Sequence, residues 1–131
     1  MIISKLNSID SEIQLKIKEL DVSFKKPEII AVSKTFSIDE IMPLINHGHL
    51  NFGENKVQES IEKWTKVKLD FKNIKLHMLG KIQTNKTKYV VDLFDYIHSL
   101  DSKKLAEKIS KEQEMKKKKL KIFIQVNIAN E

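Results

Sequence analysis

Hydrophobic positions in the first twenty residues recur at spacings of three and four: Ile2, Leu6, Ile9, Ile13, Ile17 and Leu20. That stripe predicts a leading amphipathic helix with one buried face. After Pro27 the period changes. Ile29 to Val32 is a continuous apolar run, the pattern of a strand covered on both faces in a parallel sheet. Ser37-Ile38-Asp39-Glu40 then reads as a capping box that starts a helix carrying Ile41, Leu44 and Ile45 and ending at His47-Gly48. The alternation continues down the chain. Leu50–Gly53 predicts a second strand, with a helix through Ile61 and Trp64 behind it. Ile74–Gly80 predicts a third, followed by a helix holding Tyr89, Val90, Val91 and Leu93. Tyr96–Leu100 predicts a fourth, with Asp101 or Ser102 capping a helix that carries Leu105 and Ile109. Leu120–Ile128 is the clearest strand, Ile122, Ile124, Val126 and Ile128 alternating with Phe123, Gln125 and Asn127.

Strand and helix thus alternate five times after the leading helix, which predicts an α/β fold with a parallel sheet and right-handed crossovers. No linker interrupts the pattern, so residues 1–131 read as one domain. Two architectures fit. An open five-stranded sheet of flavodoxin-like order suits the length. A (β/α)8 barrel typically needs about 250 residues and would require three further units. Length alone favours the open sheet.

Composition narrows the function classes. Of the 131 residues, 40% are hydrophobic and 32% charged, with only three Gly and two Pro, so a packed core is expected rather than a disordered chain. No apolar run approaches the roughly 20 residues that cross a bilayer. Met1–Lys5 lacks the features of a secretory leader, and a cytoplasmic location is expected. With no cysteine, disulfide and thiolate chemistry are excluded. The net charge of +6 raises the question of nucleic acid, but all 24 basic residues are Lys. Without Arg forks for base edges, specific nucleic-acid readout is not expected. The run Lys116–Lys119 reads as a solvated helix end.

Polar residues gather where the predicted strands end, the usual ligand side of a parallel α/β fold: Ser33-Lys34-Thr35, Glu54-Asn55, His77 with Gln83, Asn85 and Lys86, and Asn127. Lys34 is the most informative. An ammonium at the end of a buried strand is partly desolvated, and such an amine can form a Schiff base with an aldehyde. Among 24 lysines, position alone favours one that snorkels to solvent. Asn55 reads as a helix cap, with Gln58 three residues on. His77, between Leu76 and Met78, fits a satisfied core histidine. His47-Gly48-His49 is too sparse for a metal site, and none is expected. Neither a Gly-rich phosphate loop nor a Ser-His-Asp arrangement stands out.

Taken together, five segments in order are specific: Ala31-Val32-Ser33-Lys34-Thr35; Phe52-Gly53-Glu54-Asn55 with Val57-Gln58-Glu59; His77 through Lys86; Ser99-Leu100-Asp101-Ser102; and Gln125-Val126-Asn127-Ile128. Their combination resembles the pyridoxal-phosphate homeostasis protein family, across nearly the whole chain and about the first three-fifths of a usual member. The resemblance implies a barrel like the N-terminal domain of alanine racemase, of which this chain would hold five of eight units behind its leading helix. It implies pyridoxal 5'-phosphate (PLP) held reversibly as a Schiff base on Lys34, with Asn55 and His77 near the cofactor, no catalytic residue and no turnover. PLP-dependent apoenzymes would be recipients. The family's phosphate-binding loops, near strands seven and eight, would lie beyond this chain. Open edges at the first and fifth strands would favour self-association or a complementing C-terminal chain. Two alternatives stand beside this reading: a PLP-dependent racemase or decarboxylase, which adds a β-rich domain, and a complete flavodoxin-like binding or signalling domain.

Overall fold

The computed structural model describes residues 1–20, 23 and 25–130; Asp21, Val22, Phe24 and Glu131 lie outside them. The elements run α1 (Ile2–Glu19), β1 (Ala31–Val32), α2 (Ile38–Asn46), β2 (Asn51–Glu54), α3 (Val57–Asp70), β3 (Lys75–Met78), a 3-10 turn (Thr84–Lys86), α4 (Thr87–Leu93), β4 (Tyr96–Leu100), α5 (Lys103–Lys116) and β5 (Lys121–Ile124). All four strand pairs are parallel, in the order β1-β2-β3-β4-β5.

That order decides between the two architectures. A flavodoxin-like sheet runs 2-1-3-4-5 and changes winding direction once. Here each strand pairs with its sequence neighbour, so right-handed crossovers carry the helices to one face, as in a barrel wall. The chain is a partial (β/α) barrel array, and the open sheet favoured by length is overturned.

The core fills the space between sheet and helices. Phe52, Leu76, Met78 and Ile97 from neighbouring strands are fully buried against Ile41, Leu44 and Ile45 of α2, Trp64 of α3, Val90 of α4 and Leu105 of α5. Burying such aliphatic and aromatic side chains is worth roughly 1.5–3 kcal/mol each. The Phe52 and Trp64 rings lie 5.0 Å apart and join the second βα unit. The turns follow the sequence closely. Ser37 and Glu40 close the capping box on α2. At its other end Gly48 takes φ +100°, and the amides of Gly48 and His49 donate to the carbonyls of Ile45 and Leu44, a Schellman closure. Ser102 caps α5 by accepting from the Leu105 amide.

Several expectations change. α1 forms, but none of its residues is buried; Ile3 and Leu6 pack against the core while Ile9 and Leu20 stay exposed. β1 is not covered on both faces: Val32 is 50% exposed, because the sheet face turned away from the helices is open there. β5 is four residues rather than nine, and Phe123, Ile124, Val126 and Ile128 are exposed at this edge. The lysine run is not simply solvated. Lys117 closes α5 in a left-handed conformation, while Lys116 and Lys118 donate to the carbonyls of Lys88 and Asp92 in α4.

Candidate functional site

Strand phase sorts the polar residues onto two faces. Val32, Gly53, His77 and Tyr96 are register partners on the face turned away from the helices. Two residues further on, Lys34, Asn55, Leu79 and His98 follow in the same phase, about 6.6 Å nearer the carboxyl rim. Lys34 and Asn55 therefore belong to one level at the rim. His77 belongs to the level below.

Lys34 sits in the turn after β1 and is exposed, as position alone favoured, and not desolvated: a two-residue edge strand provides too little cover. Its neighbours are held firmly. The Ser33 hydroxyl, 4% exposed, donates to the buried Glu54 carboxylate, and the Ser33 amide donates to the Gly53 carbonyl at 2.9 Å. Thr35 takes φ +66°, a left-handed conformation that costs a β-branched residue roughly 1–2 kcal/mol. Its amide donates to Glu59 Oε1 at 2.7 Å and its hydroxyl to the Lys34 carbonyl at 2.6 Å.

An ionic cluster lies beneath this turn. Lys63 Nζ donates to both Glu54 oxygens at 3.1 Å, to the Ser33 carbonyl at 2.8 Å and to Glu59 at 3.2 Å. Trp64 Nε1 donates to Glu54 at 3.2 Å. Glu54 is wholly buried and the Lys63 side chain is 6% exposed, so each depends on the other: a buried charge without a partner is strongly destabilising. Glu59 is held below the ordinary carboxylate range, chiefly by the Thr35 amide and, against its partial desolvation, by Lys63.

Asn55 does not cap α3. Lys56 is the N-cap residue, and the Asn55 side chain makes no hydrogen bond among the described residues. Its backbone is fixed by Gly80: a Cβ there would collide with the Asn55 carbonyl oxygen and come within 2.9 Å of its Cα. The Ser99 hydroxyl holds Gly80 from the other side, donating to its carbonyl at 2.7 Å. A cleft of about 460 Å³ opens at this rim, lined by Lys81, Gln83, Thr84, Asn85, Asp101 and Ser102 among others.

His77 is 4% exposed and stacked on Tyr96, ring centroids 4.2 Å apart. Its Nε2 lies 2.9 Å from Asn51 Oδ1 and its Nδ1 2.9 Å from His98 Nε2. Because Asn51 presents an acceptor, His77 donates from Nε2, so neutral His77 accepts at Nδ1 from His98. His98 in turn stacks on Phe123 at 4.7 Å. Burial first, and then the neighbouring His98, lower the His77 pKa from 6.5 to about 4, with Asp95 acting in the opposite sense. Burial lowers His98 as well. Sequence did not single out Asn51, His98, Glu59 and Lys63 as site residues, and it offered Glu54 only as a polar residue at a strand end. Their signals were weak: a carboxylate at the end of an apolar strand, and a Glu-Lys pair four apart on the next helix.

No family model matches the chain. Curated relatives do. It is 42% identical over 123 residues to a pyridoxal phosphate homeostasis protein of Buchnera aphidicola, covering 94% of this chain and 53% of the relative. With the protein of the same name from Haemophilus influenzae it shares 35% identity over 126 residues, covering 96% and 53%. Among solved structures, PipY of Synechococcus elongatus with PLP bound superposes with a TM-score of 0.74 at 32% identity, over 91% of this chain and 55% of PipY. PipY without PLP gives the same TM-score at 34% identity, over 88% and 54%. The chain spans about half the length of the curated relatives it matches. In sequence and in fold, over that span, it is similar to members of the pyridoxal phosphate homeostasis protein family.

Proposed function

We propose that this chain is a PLP-handling protein that attaches the cofactor covalently and reversibly through Lys34 and releases it without turnover. The observation that carries the reading is the rim itself: an exposed amine at the end of β1, its two flanking residues hydrogen-bonded to Glu54 and Glu59, level with the Asn55 amide just after β2, which makes no hydrogen bond among the described residues. PLP supplies an aldehyde, which condenses reversibly with an amine. Exposure suits holding and release, since a donor protein must let its ligand go. Asn55 offers an acceptor and two donors to a polar ring substituent. The PLP-bound relative PipY supports the same ligand.

A holding role without catalysis is supported by His77. A general acid–base group works best with a pKa near the operating pH and a free nitrogen facing the reactant. His77 has a pKa near 4, and both of its ring nitrogens are engaged by Asn51 and His98. We assign His77 to orienting the site from below rather than to moving protons. Residues 1–131 are taken as one domain, PLP-dependent apoenzymes as the recipients and the cytoplasm as the compartment. No helix among the described residues is long and apolar enough to cross a membrane.

The test is a visible absorbance titration with PLP on the unsubstituted chain and on Lys34→Ala. A saturable band present in the first and absent in the second is expected. Equal, unsaturable absorbance in both overturns the reading.

A further inference from the structure

The ionic cluster beneath the β1–α2 turn performs no step in the function just described, yet it contacts both residues that flank Lys34. From α3, Lys63 reaches the Ser33 carbonyl at 2.8 Å and Glu59 reaches the Thr35 amide at 2.7 Å. The two are themselves joined at 3.2 Å, four residues apart on one helix face. Below them Glu54 fixes Lys63 and receives the Ser33 hydroxyl. The backbone entering and leaving Lys34 is therefore clamped from a single helix. On the far side the clamp holds Thr35 at φ +66°, a conformation an unrestrained threonine leaves.

We propose that Glu59 and Lys63 are positioning residues for the Lys34 amine, making it the one lysine among 24 that meets PLP in a fixed geometry. The inference rests on the reading of Lys34 as the attachment point. An exposed lysine has no local chemistry to distinguish it from its neighbours. What distinguishes Lys34 from lysines ordered within helices and strands is that its turn, at the strand-end rim, is held on both sides from α3, so the entropy of ordering that turn is met on folding rather than on binding.

Glu59 provides the clean test, because its side chain is 31% exposed and its loss leaves Lys63 paired with Glu54. Glu59→Ala removes the acceptor for Thr35, whereas Glu59→Gln keeps an oxygen there. PLP occupancy of each lysine is measured by borohydride reduction and peptide mapping across a concentration series, with amide hydrogen exchange at Thr35 in parallel. Loss of one charge-assisted hydrogen bond predicts about tenfold weaker occupancy at Lys34 in Glu59→Ala, faster exchange at Thr35 and unchanged labelling of other lysines. Glu59→Gln restores most of the preference. A Glu59→Ala chain that labels Lys34 as the unsubstituted chain does overturns the positioning role and leaves the attachment reading standing. No preference for Lys34 in the unsubstituted chain overturns both.

Discussion

His77 Nδ1 and His98 Nε2 face each other at 2.9 Å, so a proton on one nitrogen leaves no room for a proton on the other. The pair is built for the neutral state. Burial holds the His77 pKa near 4 against an ordinary 6.5, so between these values the unfolded chain binds more protons than the folded one. Stability is then fully present above about pH 6.5 and is lost as pH falls towards 4. The span corresponds to roughly 3 kcal/mol at most. Urea midpoints between pH 7.5 and 4.5 check this. His77→Gln reduces the slope in that window, His98 contributing in the same sense; an unchanged slope contradicts the assignment.

Gly80 and Gly48 make different predictions for the same substitution. Gly80→Ala drives a methyl group into the Asn55 backbone, with no flexible side chain to yield, and costs on the order of 1–3 kcal/mol. It also displaces Asn55, so PLP occupancy at Lys34 falls with stability. At Gly48 nothing lies within 4 Å of a new Cβ, and only the φ of +100° is strained. Gly48→Ala costs about 1 kcal/mol and leaves occupancy unchanged. Denaturation midpoints with parallel PLP titrations separate the two.

Two ammonium groups meet the carboxyl end of α4: Lys68 and Lys118 donate to the carbonyls of Leu93 and Asp92, where the helix dipole is negative. Lys116 donates instead to the Lys88 carbonyl in the first turn and pairs with the Asp92 carboxylate at 2.8 Å. Lys118 is held below its ordinary pKa by burial and by the nearby Lys68. Lys116→Ala removes the ion pair with Asp92 and is expected to cost roughly 0.2–1 kcal/mol at low ionic strength, and less in high salt. Thermal melts at two salt concentrations read both effects. A loss independent of salt points to packing by the lysine stem instead.

Much of the fold was legible because local signals agreed with one another. The Ser37–Glu40 box, the Gly48 stop, the Ser102 cap and the βα periodicity all named elements that exist. Strand order was not legible, since the same periodicity serves a sheet wound in one direction or two, and length pointed to the wrong one. Lys34, Asn55 and His77 stand out as polar residues near strand ends, and the resemblance adds their cofactor roles; Lys34 and Asn55 share a level at the rim, and His77 lies one level deeper. The supports were harder to see. Glu54 and Lys63 become informative only when β2 and α3 bring them within 3.1 Å, and Asn51 and His98 only when register places them beside His77. Pairing between distant residues is a property of the packed sheet, not of any short stretch of chain.

Of the 24 lysines in the 131 residues, Lys34 is the one set apart for PLP. The most direct measurement is borohydride reduction after equilibration with substoichiometric PLP, followed by mapping of the modified peptide. The account predicts that the label resides on the peptide carrying Lys34. Label distributed over the exposed lysines in proportion to their accessibility contradicts it.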